Sequence, residues 1–356
     1  MTSADDARGV EKARIEAPRP ARRRRRAAGT PRGGFAVKPR TVVIAMLIIV
    51  IVAAAVVAWS LRPGRYPGRV RLADLPGDTT ATVGFAGAFP ADDEPALANP
   101  LGIAWDGDRL YVAESDAGVV RVFDEAGGRI GSIALPVAAG AQAVYPSALV
   151  AAGERLAIVD TAGNRIIIVD AEPADEAAEP LVVLGGKDDA PGQPISVAYG
   201  DGEFYVVDAS DSLVKVYDAE GAFVRAIGGS LEPPLAFAGG VALLDGRLFI
   251  ADSNGGRVVV LDARTGDQVR VFEDRYALPR AIVPVSDDAL ALVDTFGHAV
   301  YLVGADGVRR DVIDAESVPD GPLASPRGVT WVGEDGRLYV TDAGAGRVLV
   351  YNVRLN

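Results

Sequence analysis

The chain has 356 residues, no cysteine and one histidine, with 36 Lys+Arg against 48 Asp+Glu for a formal charge of -12. The lack of cysteine excludes a disulfide framework and cysteine-type zinc sites, and one histidine leaves multi-histidine metal catalysis without ligands. At roughly 150 residues per domain the length allows two domains, although large β folds run past 250 as one.

The charge is unevenly spread. Residues 1–40 hold 12 Lys/Arg and 4 Asp/Glu, a net +8, whereas residues 62–356 hold 24 basic and 44 acidic residues, a net -20. Between them, Thr41 to Leu61 is a run of 21 residues without a charge. As a helix it would be about 31 Å long, enough to cross a hydrocarbon core of roughly 30 Å. A buried core helix seldom reaches this length without a polar face. A cleaved secretory signal has a short head and an apolar region of about 7–15 residues. This head is 40 residues long, and Trp59, Leu61 and Arg62 make poor cleavage context. The expectation is an uncleaved signal-anchor helix over 41–61.

Orientation follows from positive charge near the span. Arg22 to Arg26 form an unbroken run, continued by Arg32, Lys38 and Arg40, while Arg62, Arg65, Arg69 and Arg71 follow the span. The stronger basic flank is retained on the cytoplasmic side. The reading is therefore a disordered basic cytoplasmic tail over 1–40, a single span, and a cell-membrane protein with the rest of the chain outside. Residues 62–78 carry three prolines and three glycines and read as a stalk.

Beyond the stalk the sequence repeats itself. YVAESDAGVVRVFD from Tyr111 returns, with variation, from Ala157, Tyr205, Phe249, Ala291 and Tyr339, at steps of 46, 48, 44, 42 and 48 residues. A period in the forties with several short strands per unit predicts a β-propeller. Each unit opens with Pro-x-small-apolar, as in Pro100-Leu101-Gly102-Ile103 and Pro326-Arg327-Gly328-Val329; in the fourth unit Ala238 replaces the proline. The sixth unit stops after its third strand, and Thr79–Phe85 stands ahead of the first unit without partners. Pairing the two closes the ring without an exposed edge. The fold expected is an all-β, six-bladed propeller over 79–356.

These units resemble the NHL-repeat family, whose consensus runs Pro-x-Gly-Ile-Ala, then apolar-Tyr-Val-Ala-Asp-Ser, then Asn-Arg-Ile-apolar-Val-Phe. The resemblance covers about residues 79–356 and is loosest at Phe296-Gly297-His298-Ala299. The layout also resembles the sensor end of bacterial transmembrane serine/threonine kinases, although the 40-residue head cannot hold a kinase domain. Six-bladed relatives with lyase or amidating activity rely on several histidines, so that implication fails here. Lactonase-type propellers use carboxylates and Asn around a channel calcium, for which Asn99 and Asp106 are only loose candidates.

One column of residues is acidic in every unit: Glu114, Asp160, Asp208, Asp252, Asp294 and Asp342. Six near-identical copies predict a structural role, each capping the following turn through an Asx-type hydrogen bond. Arg165, Arg257 and Arg347 stand five positions on in units two, four and six and are expected partners; the other three acids need different ones. The lone His298 falls in a turn and cannot anchor zinc alone.

The positions that differ between units carry the functional expectation. Around Pro-x-small, where the inner strands rim one mouth of the channel, stand Asn99, Tyr145, Gln193, Arg280 and Arg327. Arg280 and Arg327 fall on neighbouring blades, and a guanidinium pair suits a carboxylate or phosphate. The function expected is a membrane-anchored sensor or scaffold that binds a protein, peptide or cell-envelope ligand and needs no cofactor. The alternative is a metal-dependent lactonase-type hydrolase, for which calcium would be the cofactor. Nucleic acid is an unsuitable partner, because a net charge of -20 repels a polyanion.

Overall fold

The computed structural model describes residues 81–355, apart from 92, 175–176, 187–188, 273, 315–316 and 318–322. The expected basic tail (1–40), span (41–61) and stalk (62–78) lie outside the described residues.

The described residues form six four-stranded antiparallel sheets. Strand β1 (Ala81–Phe89) comes first in the chain and belongs to the last blade. Blade 1 is β2 (Pro100–Trp105), β3 (Leu110–Glu114), β4 (Val119–Phe123) and β5 (Arg129–Ala134), and blade 2 is β6 (Pro146–Ala152), β7 (Arg155–Asp160), β8 (Arg165–Asp170) and the short β9 (Val182–Val183). Blade 3 is β10 (Pro194–Gly200), β11 (Glu203–Asp208), β12 (Leu213–Asp218) and β13 (Phe223–Ile227), and blade 4 is β14 (Ala238–Leu244), β15 (Arg247–Asp252), β16 (Arg257–Asp262) and β17 (Gln268–Val271). Blade 5 is β18 (Pro279–Ser286), β19 (Ala289–Asp294), β20 (Ala299–Gly304) and β21 (Arg309–Ile313). Blade 6 takes β22 (Pro326–Val332), β23 (Arg337–Asp342) and β24 (Arg347–Leu355) from the end of the chain, with β1 as its outer strand.

The closing strand is longer than the sequence suggested. Its register with β24 runs from Ala81↔Leu355 to Phe89↔Val348, with an irregularity between Phe85 and Gly87. The pairing extends past Phe85 because Phe89 is anchored by aromatic contacts, with ring centroids 5.0 Å from Phe123 in blade 1 and 6.4 Å from Tyr339 in blade 6. Phe89 thus packs at the junction of the first and last blades. Thr79 and Thr80, the expected start of this strand, lie outside the described residues.

The second and third strands of each blade are apolar on both faces, because each sheet packs against a neighbour on either side. Ile166, Ile167, Ile168 and Val169 are consecutive and wholly buried. The cores accordingly lie between blades: Tyr111, Val122 and Ile133 of blade 1 cluster with Leu156, Ile158 and Ile167 of blade 2. Tyr339 and Val348 of blade 6 cluster with Leu110 and Phe123 of blade 1, which closes the circle.

The inner strands β2, β6, β10, β14, β18 and β22 each touch the next around the axis. That crowding explains the small residue of Pro-x-small. A Cβ on Gly240 would fall 2.6 Å from the Arg280 carbonyl oxygen, and one on Gly102 would fall 2.8 Å from Ala148 Cα. Hydroxyls at the ends of the second strands latch onto the inner strand of the next blade. Ser115 Oγ donates to the Pro146 carbonyl at 2.6 Å, Ser253 Oγ to that of Pro279 at 2.5 Å, and Thr295 Oγ1 to that of Pro326 at 2.7 Å. Thr341 Oγ1 donates at 2.7 Å to the Leu101 carbonyl, across the junction between the last blade and the first.

Candidate functional site: the channel mouth

Every acid of the column lies at the end of a second strand, opposite the start of its blade's inner strand, as in Pro279↔Asp294 and Pro326↔Asp342. The carboxylates use this register to hold the segment leading into the inner strand. Asp160 Oδ1 accepts from the Tyr145 N–H at 3.0 Å, and Asp208 accepts from Gly192 at 2.7 Å and Gln193 at 2.9 Å. Asp252 accepts from Ala236 at 2.6 Å, Asp294 from Ala277 and Leu278 at 2.7 Å each, and Asp342 from Ala324 and Ser325. Glu114, with a longer side chain, reaches the Ala98 N–H at 3.0 Å.

Turn capping, the expected role, is made as well by some members: Gly163 to Asp160, Ser210 to Asp208 and Gly297 to Asp294. It is the smaller part of the job, since the clasp on the mouth segment appears in all six blades. Arg165 and Arg257 pair with Asp160 and Asp252 at 2.9 and 2.8 Å, while Arg347 stands 4.0 Å from Asp342. Glu114 and Asp208 find cations seven positions on, at Arg121 and at Lys215 (2.6 Å). Asp294 has no ion pair among the described residues and is held by backbone N–H groups alone. Burial pushes the Asp208 carboxyl up, but hydrogen bonds from Lys215, Ser210 and Gln193 outweigh it and leave the group well below the usual range.

Held in this way, the entry segments rim a channel cavity of about 340 Å³. Arg280, Arg327, Tyr145 and Gln193 all line it. Asn99 stands behind them, donating through Nδ2 to the Tyr145 hydroxyl at 2.9 Å and to Asp116 Oδ1 at 3.0 Å. Ser147 and Thr161, with their hydroxyl oxygens 2.6 Å apart, add further polar groups beside Tyr145.

Among the described residues, no Asp or Glu lines the cavity. Neither Arg280 nor Arg327 has an ion pair or hydrogen bond among the described residues, and the Nε atom of each is buried without a partner. Burial, and then the nearby Arg327 charge, hold the Arg280 guanidinium below the usual arginine range. Gly239 opens the space Arg280 occupies, since a Cβ there would stand 3.2 Å from Arg280 Cδ. The Arg280 guanidinium lies 6.0 Å from the Phe237 ring centroid. Two neighbouring, half-buried guanidinium groups favour any anion that enters.

The residues proposed for calcium are not brought together. Asn99 precedes β2 and Asp106 follows it, so a six-residue strand, roughly 20 Å, separates them. Asp106 instead accepts from the Tyr111 hydroxyl at 2.6 Å and the Arg109 N–H at 2.7 Å. Among the described residues no three His, Cys, Asp or Glu side chains cluster as a metal site. His298 is exposed in the turn between β19 and β20, with Nδ1 2.8 Å from the Leu323 carbonyl oxygen.

Three neighbours among solved structures share the fold. A selenomethionine form of virginiamycin B lyase from Staphylococcus aureus is 13% identical with a TM-score of 0.54, covering 76% of this chain and 99% of its own. A streptogramin B lyase is 15% identical with a TM-score of 0.53, covering 78% and 98%. The WD40 β-propeller domain of Doa1 is 14% identical with a TM-score of 0.52, covering 76% and 96%. No protein-family model matches the chain, and no curated protein matches it in sequence. The likeness is one of fold.

Proposed function

We propose that the protein is a membrane-anchored binding module: an NHL-type propeller, outside the cell membrane, that holds an anionic partner at its channel mouth. The observation that carries this reading is the pair Arg280 and Arg327, two guanidinium groups that have no counter-ion among the described residues, in a cavity whose described lining holds no carboxylate. In a segment of net charge -20, acidic side chains are abundant, yet the described lining of this wall holds none, which leaves its charge for a ligand. The partner is a protein segment, a peptide or a cell-envelope fragment that offers a carboxylate or phosphate. The outer location is supported by the uncharged run 41–61 behind an arginine-rich head.

The test uses the full-length chain in detergent, titrated at constant ionic strength with sodium acetate, sodium phosphate and neutral acetamide. Each charge-assisted hydrogen bond contributes about 1.5–3 kcal/mol. Replacing both arginines in R280Q/R327Q therefore weakens anion binding by about a hundredfold or more, leaving any acetamide response unchanged. Equal anion binding by the wild type and the double variant sinks the reading.

A further inference from the structure

The channel wall has two tiers. The residue after each proline position forms the upper one, which carries Arg280 and Arg327. Two residues further along the inner strands stand Ile103, Leu149, Val197, Val241, Ile282 and Val329, one from each blade, all lining the same cavity. A strand rises about 3.3 Å per residue, so this second ring lies roughly 7 Å below the arginines. Its members are 5–7% exposed, a residual accessibility set against the wholly buried strands behind them. All six side chains are aliphatic, so no side chain in this tier hydrogen-bonds a second polar group.

The mouth is also polarised across its width. Blades 5 and 6 supply the arginines, and in a six-membered ring they face blades 2 and 3. The groups there are Ser147, Thr161, Tyr145 and Gln193, which are neutral. A ligand with charges at both ends would find a cation for only one of them. Phe237, beside Arg280, has φ of 60°, a left-handed conformation that is rare and strained for a bulky side chain. That backbone sets an aromatic ring at the edge of the cationic pole.

Resting on the anion-binding reading above, we propose that the ligand is a small amphiphile. A single carboxylate or phosphate head sits between Arg280 and Arg327, and an aliphatic or aromatic body descends into the ring of Ile103, Leu149, Val197, Val241, Ile282 and Val329. The cavity's 340 Å³ falls within the range of small-molecule pockets, about 300–1,000 Å³. An extended polyanion leaves the aliphatic tier empty, and a free inorganic anion makes no use of it.

The test is a calorimetric titration of the full chain, at one fixed detergent concentration, with hexanoate, acetate, hexyl phosphate, inorganic phosphate and hexan-1-ol. Each buried methylene strengthens binding about fourfold. Burial of two or three of the four extra carbons therefore makes hexanoate bind about 15- to 60-fold tighter than acetate, with the same ordering for hexyl phosphate over phosphate. The ratio of hexanoate to hexyl phosphate affinity identifies the preferred head. Hexan-1-ol, which reports partition into detergent, gives no saturable signal. R280Q/R327Q loses saturable binding of both hexyl anions, and R280K/R327K, which keeps the charge, retains part of it. If acetate and phosphate bind as tightly as their hexyl counterparts and R280Q/R327Q loses all four, the anion site stands and the amphiphile is refuted. If no anion binds the wild type, both readings fall together. Hexyl anions that bind R280Q/R327Q undiminished place the attraction in the apolar wall alone, which also overturns the proposal.

Discussion

An arginine kept for a ligand should cost the empty protein stability, and Arg280→Gln measures that cost. Its Nε is buried without a partner among the described residues, and burial, followed by the neighbouring positive charge on Arg327, opposes its ionisation. An unsatisfied buried donor costs about 1–3 kcal/mol. Against this stands the contact with the Phe237 ring, worth about 0.5–1 kcal/mol for a partly exposed cation–π pair. The net expectation is that Arg280→Gln stabilises the empty propeller by about 1 kcal/mol. For a domain of this size that is a rise in Tm of about 2 °C. The assay is thermal unfolding of the full-length chain followed by far-UV circular dichroism, with and without a saturating anion. The anion should raise the wild-type Tm and leave that of the variant unmoved. A variant destabilised by about 2 kcal/mol or more would mean that Arg280 supports the fold, and the argument from its missing partners would be wrong.

The acidic column should behave in the opposite way. Asp252→Ala is expected to cost about 3–5 kcal/mol in chemical denaturation, because Asp252 is fully buried and its loss strands both Arg257 and the Ala236 N–H. Asp294→Asn should cost less than Asp252→Asn, since Asp294 has no cation to leave behind among the described residues; equal losses would show that the ion pair contributes nothing. Against burial, hydrogen bonds from Lys215 and Ser210 hold the Asp208 carboxyl below the ordinary aspartate value of about 3.9, so its stabilisation is present above about pH 4 and is lost as pH falls through the folded value. Stability profiles between pH 2 and 5 should therefore be shallower for Asp208→Asn than for the wild type, and parallel profiles would contradict this. Protease added to intact cells should remove 62–356 and spare the basic head; a mature form beginning near Leu61 or Arg62 would mean a cleaved signal instead.

The fold was legible because a propeller writes its plan repeatedly. Five copies of Pro-x-small, and Ala238-Gly239-Gly240 in the fourth unit, marked the inner strands, and a lone strand ahead of the first unit marked the closure. The end of that strand was not legible, since it depends on Phe89 meeting Phe123 and Tyr339, contacts that no local pattern encodes. The clasp made by the acids was hidden for a similar reason. It joins residues 15 to 18 positions apart, such as Tyr145 and Asp160, through a cross-strand register that exists only in the folded sheet. The cations of Glu114 and Asp208 could have been found. A strand repeats every two residues, so a partner at position seven, as in Arg121 and Lys215, faces the same way as one at position five.

The site divides along the same line. Repeated residues answer to demands that every blade shares: small ones where strands crowd, carboxylates where a segment needs holding, hydroxyls where neighbours need latching. Arg280 and Arg327 answer to no such demand, and they could be picked out because only two blades of six carry them. The aliphatic tier is not legible in the sequence for the converse reason. Ile103, Leu149, Val197, Val241, Ile282 and Val329 occupy equivalent places in all six blades and look like ordinary strand residues. Only closure of the ring turns them into one wall of a cavity. The difference between blades supplies the charge at this mouth, and the repetition between blades supplies the aliphatic tier beneath it, so a ligand that uses both must carry an anion on an apolar body.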